Sequence, residues 1–195
     1  MIVYPPKITK EEVRNLPKEE FMGDISMVNT QDELKEAMDY LNKFPVVGFD
    51  TETRPSFRKG QMHFVSLMQL STDDRCYLIR LHKTGIPKEL MDFLKTEKVL
   101  KIGLSLRDDF MALCRKKKTV VPSNFVDLQK IVKDYAIEEA SLQKIYAILF
   151  DKKISKSQRL TNWEAPELTL PQQKYAALDA WACLRIYDEL LKNKN

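Results

Sequence analysis

What this chain has little of narrows its chemistry first. Its three cysteines, Cys76, Cys114 and Cys183, are far apart, form no Cys-x-x-Cys and make an odd total. That pattern suggests neither a disulfide framework nor a cysteine zinc site, and reduced, mostly buried thiols are expected. Only two histidines occur, His63 and His82, and both read as structural or surface residues. No apolar run approaches the ~20 residues that cross a bilayer. Met1 to Pro6 lacks the uninterrupted apolar stretch of a secretion signal. A cytoplasmic address and no membrane partner are therefore expected. Repeats and low-complexity tracts are missing as well. The charge excess is small, +4 with a pI near 8.8, which permits a polyanionic partner without demonstrating one.

What is present describes a soluble globular chain. It has 195 residues, 44% of them apolar and 31% charged, enough to bury a real core as one domain. Thr9 with Glu12 and Thr30 with Glu33 form capping boxes that mark two helix starts. Leu34, Ala37, Met38 and Leu41 give the second helix an apolar face before Pro45 stops it and a strand begins over 46–50. Arg54 to Gly60 is polar and turn-like. His63 to Leu70 and Cys76 to Leu81 read as a hairpin around Ser71 to Asp74. Pro87 to Leu94 reads as a helix, Val99 to Leu104 as a buried strand, and Ser105 as the start of a helix ending in Arg115 to Lys118. That basic run is either a solvated helix end complementing the helix dipole or a nucleic-acid patch. A brief strand near Asn124 to Val126 precedes a helix capped by Asp127. Ser141 opens a helix with Leu142, Ile145, Tyr146 and Leu149 inward. Thr169 to Gln172 caps the last helix, with proline in its first turn. Strands come mostly first and then alternate with helices, the signature of a mixed α/β sheet containing an antiparallel hairpin.

Against this background Asp50 and Glu52 stand out. They lie two apart at the end of the apolar run Val46-Val47-Gly48-Phe49, so in a strand both leave one face. Like charges held that close need a cation, and oxygen ligands suit hard ions such as Mg²⁺ or Mn²⁺, which points to metal-assisted phosphate chemistry. In the last helix Tyr175 and Asp179 share a face. An inward aspartate among Leu178, Ala182 and Ile186 is costly unless paired or bound to a cation. In the helix after Ser105, Leu106, Phe110, Leu113 and Cys114 form a stripe. Asp109 lies about 85° from its centre and Asp108 about 175°, so Asp109 borders the core and Asp108 faces water.

Taken in order, these motifs resemble the DEDD 3′-to-5′ exonucleases, in the tyrosine-bearing subgroup of ribonuclease D and the Werner-type exonuclease domain. The likeness rests on Gly48-Phe49-Asp50-Thr51-Glu52, on Ile102 to Asp109 through Leu113, and on Tyr175-Ala176-Ala177-Leu178-Asp179-Ala180. Val65 to Leu70 and Leu160-Thr161-Asn162-Trp163 add to it. The sister branch carries a histidine five residues before the last aspartate. Both histidines here lie upstream of the second motif, so the histidine version is excluded and Tyr175, four residues before Asp179, is left to fill that role.

The resemblance implies a ribonuclease H-like fold, a five-stranded mixed sheet flanked by helices. Residues 1–24 would form an N-terminal extension and 25–195 the exonuclease domain. It further implies two divalent ions, Mg²⁺ or Mn²⁺, held by Asp50, Glu52, Asp109 and Asp179 for two-metal hydrolysis at a nucleic-acid 3′ end. Tyr175, with a reference pKa near 10, would orient the attacking water rather than act as base. DNA is placed ahead of RNA as substrate, and oligomeric state, a homo-oligomer included, is left open. Candidate substrate contacts are Thr51, Arg54, Lys156, Arg159 and Trp163. The basic loop with Lys152, Lys153, Lys156 and Arg159 ahead of Trp163 either tracks phosphates and stacks a base, or is a solvated loop with its tryptophan in the core. Arg54 to Lys59 either meets the scissile strand or is an exposed turn. Two competing readings are an exonuclease-like module that binds without cleaving, and a metal-binding α/β protein acting on a small phosphorylated substrate.

Overall fold

Both N-terminal capping boxes form. Thr9 and Glu12 open α1 (Lys10–Asn15), and Thr30 and Glu33 open α2 (Gln31–Leu41), each with the reciprocal side-chain and backbone bonds in place. The computed structural model describes residues 3–58 and 60–193. Lys59 and the end residues 1, 2, 194 and 195 lie outside the described residues, as does the start of the segment read for a secretion signal. The remaining elements are β1 (Asp24–Val28), β2 (Val46–Thr53), β3 (Val65–Ser71), β4 (Arg75–Ile79), α3 (Leu81–Thr84), α4 (Lys88–Lys95), β5 (Leu100–Gly103), α5 (Leu106–Lys116), β6 (Phe125–Asp127), α6 (Leu128–Ile131), α7 (Leu142–Phe150) and α8 (Leu170–Lys192).

The sheet runs β1-β4-β3-β2-β5-β6. β3 is antiparallel to both neighbours and the other pairs are parallel. The mixed α/β expectation holds, with six strands where five were foreseen. The additional strand is β1. It pairs on one side only and buries just Val28 fully, so it carries little of the apolar signal by which buried strands are recognised. Each face of the sheet carries its own core. On one, Val47, Phe49, Met68 and Leu70 pack with Leu34, Leu41, Leu90 and Phe93. On the other, Leu67, Leu78 and Ile102 pack beneath α7 and α8, together with Tyr4 and Phe21 of the N-terminal segment. No helix among the described residues is long and apolar enough to cross a membrane. All three cysteines are free, Cys76 and Cys183 buried.

The helix after Ser105 starts where expected, but it is capped from a distance. Ser105 sits in the left-handed region at φ 62° and makes no side-chain cap. The start of α5 is held instead by Asp127, whose carboxylate accepts from the amides of Ser105 and Leu106 at 3.0 and 3.1 Å. The same carboxylate accepts from Gln129 N–H at 3.0 Å, so one acid caps two helices.

Candidate active site

The acidic end of β2 meets α8 because of a glycine. A Cβ on Gly48 would lie 2.0 Å from the Ala180 carbonyl oxygen, so only glycine lets the helix backbone rest directly on the strand. Ala180 follows Asp179, and the close approach delivers that carboxylate to the strand's acids. Ligand oxygens of Asp50, Glu52 and Asp179 all lie within 4.8 Å of one another. Asp179 is 8% exposed, while Asp50 and Glu52 are half-buried. Gly103 plays the matching part on the other side: its missing Cβ leaves room for Leu106, which would stand 2.4 Å away, and lets α5 turn back toward β2. Asp109 there accepts a hydrogen bond from Thr51 Oγ1. It stands beside the triad rather than within it. Asp108 is exposed and Asp109 half-buried, as helical geometry required.

Crowding like charges in a partly dry place makes each acid reluctant to ionise. Asp50 is held well above the usual carboxylate range, first by burial and then by Asp179, Asp109 and Glu52. Burial, with help from Asp179 and Asp109, pushes Glu52 up to about 9. Burial raises Asp179 to about 7 against the lowering pull of Tyr175 and Lys156. Burial likewise raises Asp109 to about 6, opposed by its bond from Thr51. Tyr175 is 9% exposed and its phenol is raised, by burial first and by Asp179, Glu52 and Asp50 after it. It therefore keeps its proton at physiological pH. Three carboxylates that cannot comfortably ionise together are a donor set suited to hard divalent cations.

The expected substrate contacts divide. Lys156 and Arg159 are exposed, and their charges act on Asp179 and Glu52 respectively. Thr51 spends its hydroxyl proton on Asp109. Arg54 is paired with Glu164 at 3.4 Å, and Glu164 also accepts from Ser66 at 3.1 Å. Trp163 requires a correction, because it is 0% exposed and a fully enclosed ring cannot stack on a base. It backs the tyrosine instead, with ring centroids 6.0 Å apart and planes at 31°.

Residues 25–194 match the family model described as 3′-5′ exonuclease. The chain belongs to that 3′-5′ exonuclease family. Membership makes this an exonuclease-family domain. It is 32% identical over 151 residues to the mouse bifunctional 3′-5′ exonuclease/ATP-dependent helicase WRN, covering 74% of this chain and 11% of that protein. It is 30% identical over 201 residues to an Arabidopsis thaliana 3′-5′ exonuclease, covering 94% and 69%. The EXO domain of Aedes aegypti Nibbler superposes with a TM-score of 0.79 at 25% identity, covering 89% of this chain and 91% of that one. Escherichia coli RNase D shares the fold, with a TM-score of 0.77 at 22% identity over 87% and 44%. The chain thus spans about a tenth of the mouse relative's length and 30% of a Drosophila melanogaster relative's.

Several residues that shape the exonuclease site carry no chemistry of their own in sequence. Gly48 had a legible signal, a glycine inside a strand just before two acids, which marks close backbone approach. Asp127 was recognisable as a cap for α6, but its second duty toward α5 is a tertiary fact. Gln69 is fully buried and opposite Asp50 in the β2–β3 register. Neither end of its amide has a hydrogen-bond partner among the described residues. Nothing in the sequence marks it apart from other strand glutamines.

Proposed function

We propose that this exonuclease domain hydrolyses phosphodiester bonds at nucleic-acid 3′ ends, using two divalent ions, Mg²⁺ or Mn²⁺. The observation that carries the reading is the convergence of Asp50, Glu52 and Asp179 within 4.8 Å beside a buried, protonated Tyr175. Asp50, Glu52 and Asp179 would hold one ion. Asp109, half-buried beside them with its charge felt by Asp50 and Glu52, would help to hold the second. Bound ions would supply activation of the attacking water and stabilisation of the leaving 3′ oxygen. The protein's own groups do the rest. Tyr175, protonated, donates a hydrogen bond that orients water or phosphate and does not serve as base. Thr51 fixes the Asp109 carboxylate. Lys156 and Arg159 at the rim attract phosphate and offset the negative charge of the cluster.

DNA is placed ahead of RNA as substrate, and the panel below decides the order: the Thr51 hydroxyl donates to Asp109, and the rim groups are cations suited to the phosphates of either polymer. A reducing compartment, the cytoplasm, suits three free cysteines. The test is a panel of 3′-labelled DNA and RNA, single-stranded, blunt and recessed, with Mg²⁺ or Mn²⁺. Stepwise loss of 3′ nucleotides, abolished by chelator, is expected. Binding without cleavage under every condition would overturn the enzymatic reading, and cleavage of mononucleotides alone would overturn the substrate class. A Mn²⁺ titration should saturate at two ions per chain, and saturation at one would remove Asp109 from the ligand set.

A further inference from the structure

The N-terminal segment, set outside the exonuclease domain by its sequence, builds part of a basic cavity that adjoins one lined by Tyr175. Between α1, the start of α7 and the loop over 153–156 lies a cavity of about 620 Å³. Six cations line it: Lys10, Arg14, Lys18, Lys144, Lys153 and Lys156, with no aspartate or glutamate among its lining residues. Lys144 is answered by Glu139 at 2.7 Å and Lys18 by Glu20 at 3.2 Å. Lys10, Arg14 and Lys156 form no ion pair among the described residues.

The cavity is fixed in place by backbone. Glu19 N–H donates to the Lys153 carbonyl at 2.9 Å and Lys153 N–H to the Pro17 carbonyl at 2.8 Å. That ladder ties the N-terminal segment to the loop preceding α8, so the two sets of lysines keep a constant spacing. Lys10 and Arg14 are four apart on α1 and share its face. Ser141, Gln143 and Ser155 add neutral hydrogen-bonding groups to the lining, and the positive end of the α7 dipole lies in the same place. Lys18 and Ser155 also line a second cavity of about 260 Å³, whose wall includes Glu19, Glu20 and Tyr175, so the basic cavity adjoins one that touches the tyrosine beside the carboxylates. A cavity wall of one charge sign, close to the site proposed to cut phosphodiesters, suits a polyanion and repels cationic partners.

We propose that this cavity is a track for the phosphates of the strand leading to the 3′ end, holding the backbone upstream of the nucleotide being removed. The proposal rests on the exonuclease reading above and deepens it: the substrate is a polynucleotide strand gripped beyond its terminal bond. Because the track reads phosphate, DNA and RNA strands use it alike. An acidic protein segment is the other occupant of similar charge.

Binding separates this from catalysis. The double variant Lys10→Ala with Arg14→Ala alters exposed side chains away from the carboxylates. Its affinity for a single-stranded oligonucleotide of about 12 residues is measured by fluorescence anisotropy in EDTA across a salt series. Each phosphate contact on a single strand contributes about 0.7 to the slope of log K against log salt. Two lost contacts should therefore shallow the slope by about 1.4 and weaken binding several-fold, for DNA and RNA equally. In the presence of Mn²⁺ the same variant should cleave a dinucleotide, too short to reach the track, at the wild-type rate. A control pair on the opposite side of the sheet, Lys35→Ala with Lys95→Ala, should leave slope and affinity unchanged. An unchanged slope in the first variant, or an equal loss in the control pair, overturns the track. Failure of the wild-type chain to cleave any substrate overturns the exonuclease reading, while the anisotropy series still decides the track.

Discussion

Strand β2 has two sides that live in different solvents. Val47 and Phe49 point into an apolar core and are fully buried. Phe49 meets Phe125 edge-on, with centroids 5.1 Å apart and planes at 85°. One residue along in each direction, Gly48 and Asp50 face α8, where a backbone carbonyl and a second carboxylate come close. The first side lowers the free energy of the fold by removing apolar surface from water. The second raises it in the metal-free protein by gathering like charges where water is scarce. The contrast teaches that the site is carried by its surroundings: a rigid apolar layer and a glycine contact hold acids that would otherwise move apart.

Substitutions on the two sides should fail in opposite ways. Asp50→Asn should cut hydrolysis by roughly 10³-fold or more while raising the melting temperature of the metal-free chain, because one repelling charge is gone. Calorimetry with and without Mn²⁺ reads both, and a fall in metal-free stability would erase the contrast. Phe49→Ala, one residue away, should cost about 3–5 kcal/mol of folding free energy by denaturant titration and leave the rate per folded molecule near normal. Tyr175→Phe should slow single-turnover cleavage by about 10²-fold with Mn²⁺ affinity retained; an unchanged rate would remove the tyrosine from the chemistry. Gly48→Ala should push α8 off the strand, costing about 1–3 kcal/mol and weakening Mn²⁺ binding together. Stability lost without metal affinity would show that the contact does not set the site.

The smallest effect expected is on pH dependence. Asp179 at about 7 and Glu52 at about 9 bind protons more tightly folded than unfolded, where carboxylates titrate near 4. The unfolded chain loses those protons first, so metal-free stability is greatest below about pH 4 as far as these groups are concerned and declines as pH rises toward 9. A fall of a few degrees in Tm from pH 5 to pH 8 is expected, reversed by Mn²⁺ and reduced but still present in Asp50→Asn, because burial more than Asp50 holds Glu52 and Asp179 high. A Tm that rises across this range would mean that the cluster is not strained.

Much of the architecture was readable in the residues. Capping boxes at Thr9, Thr30 and Thr169 place helix starts because they satisfy amides locally. The face of α5 that carries Asp109 followed from helical angle alone. β1 was missed because an edge strand with one fully buried residue hardly differs from a loop. The helix start after Ser105 was legible, but the acid that caps it, Asp127, lies 22 residues on and outside any local signal. Trp163 could not be placed: a basic, polar neighbourhood in sequence says nothing of a ring that folds inward against Tyr175.

The sequence by itself nominated the candidate site, since Asp50, Glu52, Asp109, Tyr175 and Asp179 are marked by strand spacing, helical phase and the order of three motifs. It determined the fold class for the same reason, that local periodicity and capping act within a few residues. Only the tertiary structure decided how those groups meet. Asp109 stands beside the triad and not in it, Thr51 and Arg54 are occupied by Asp109 and Glu164, and α1 joins the loop after α7 around one basic cavity. These are contacts between segments distant in sequence, fixed by packing and by the charge each side chain finds on arrival.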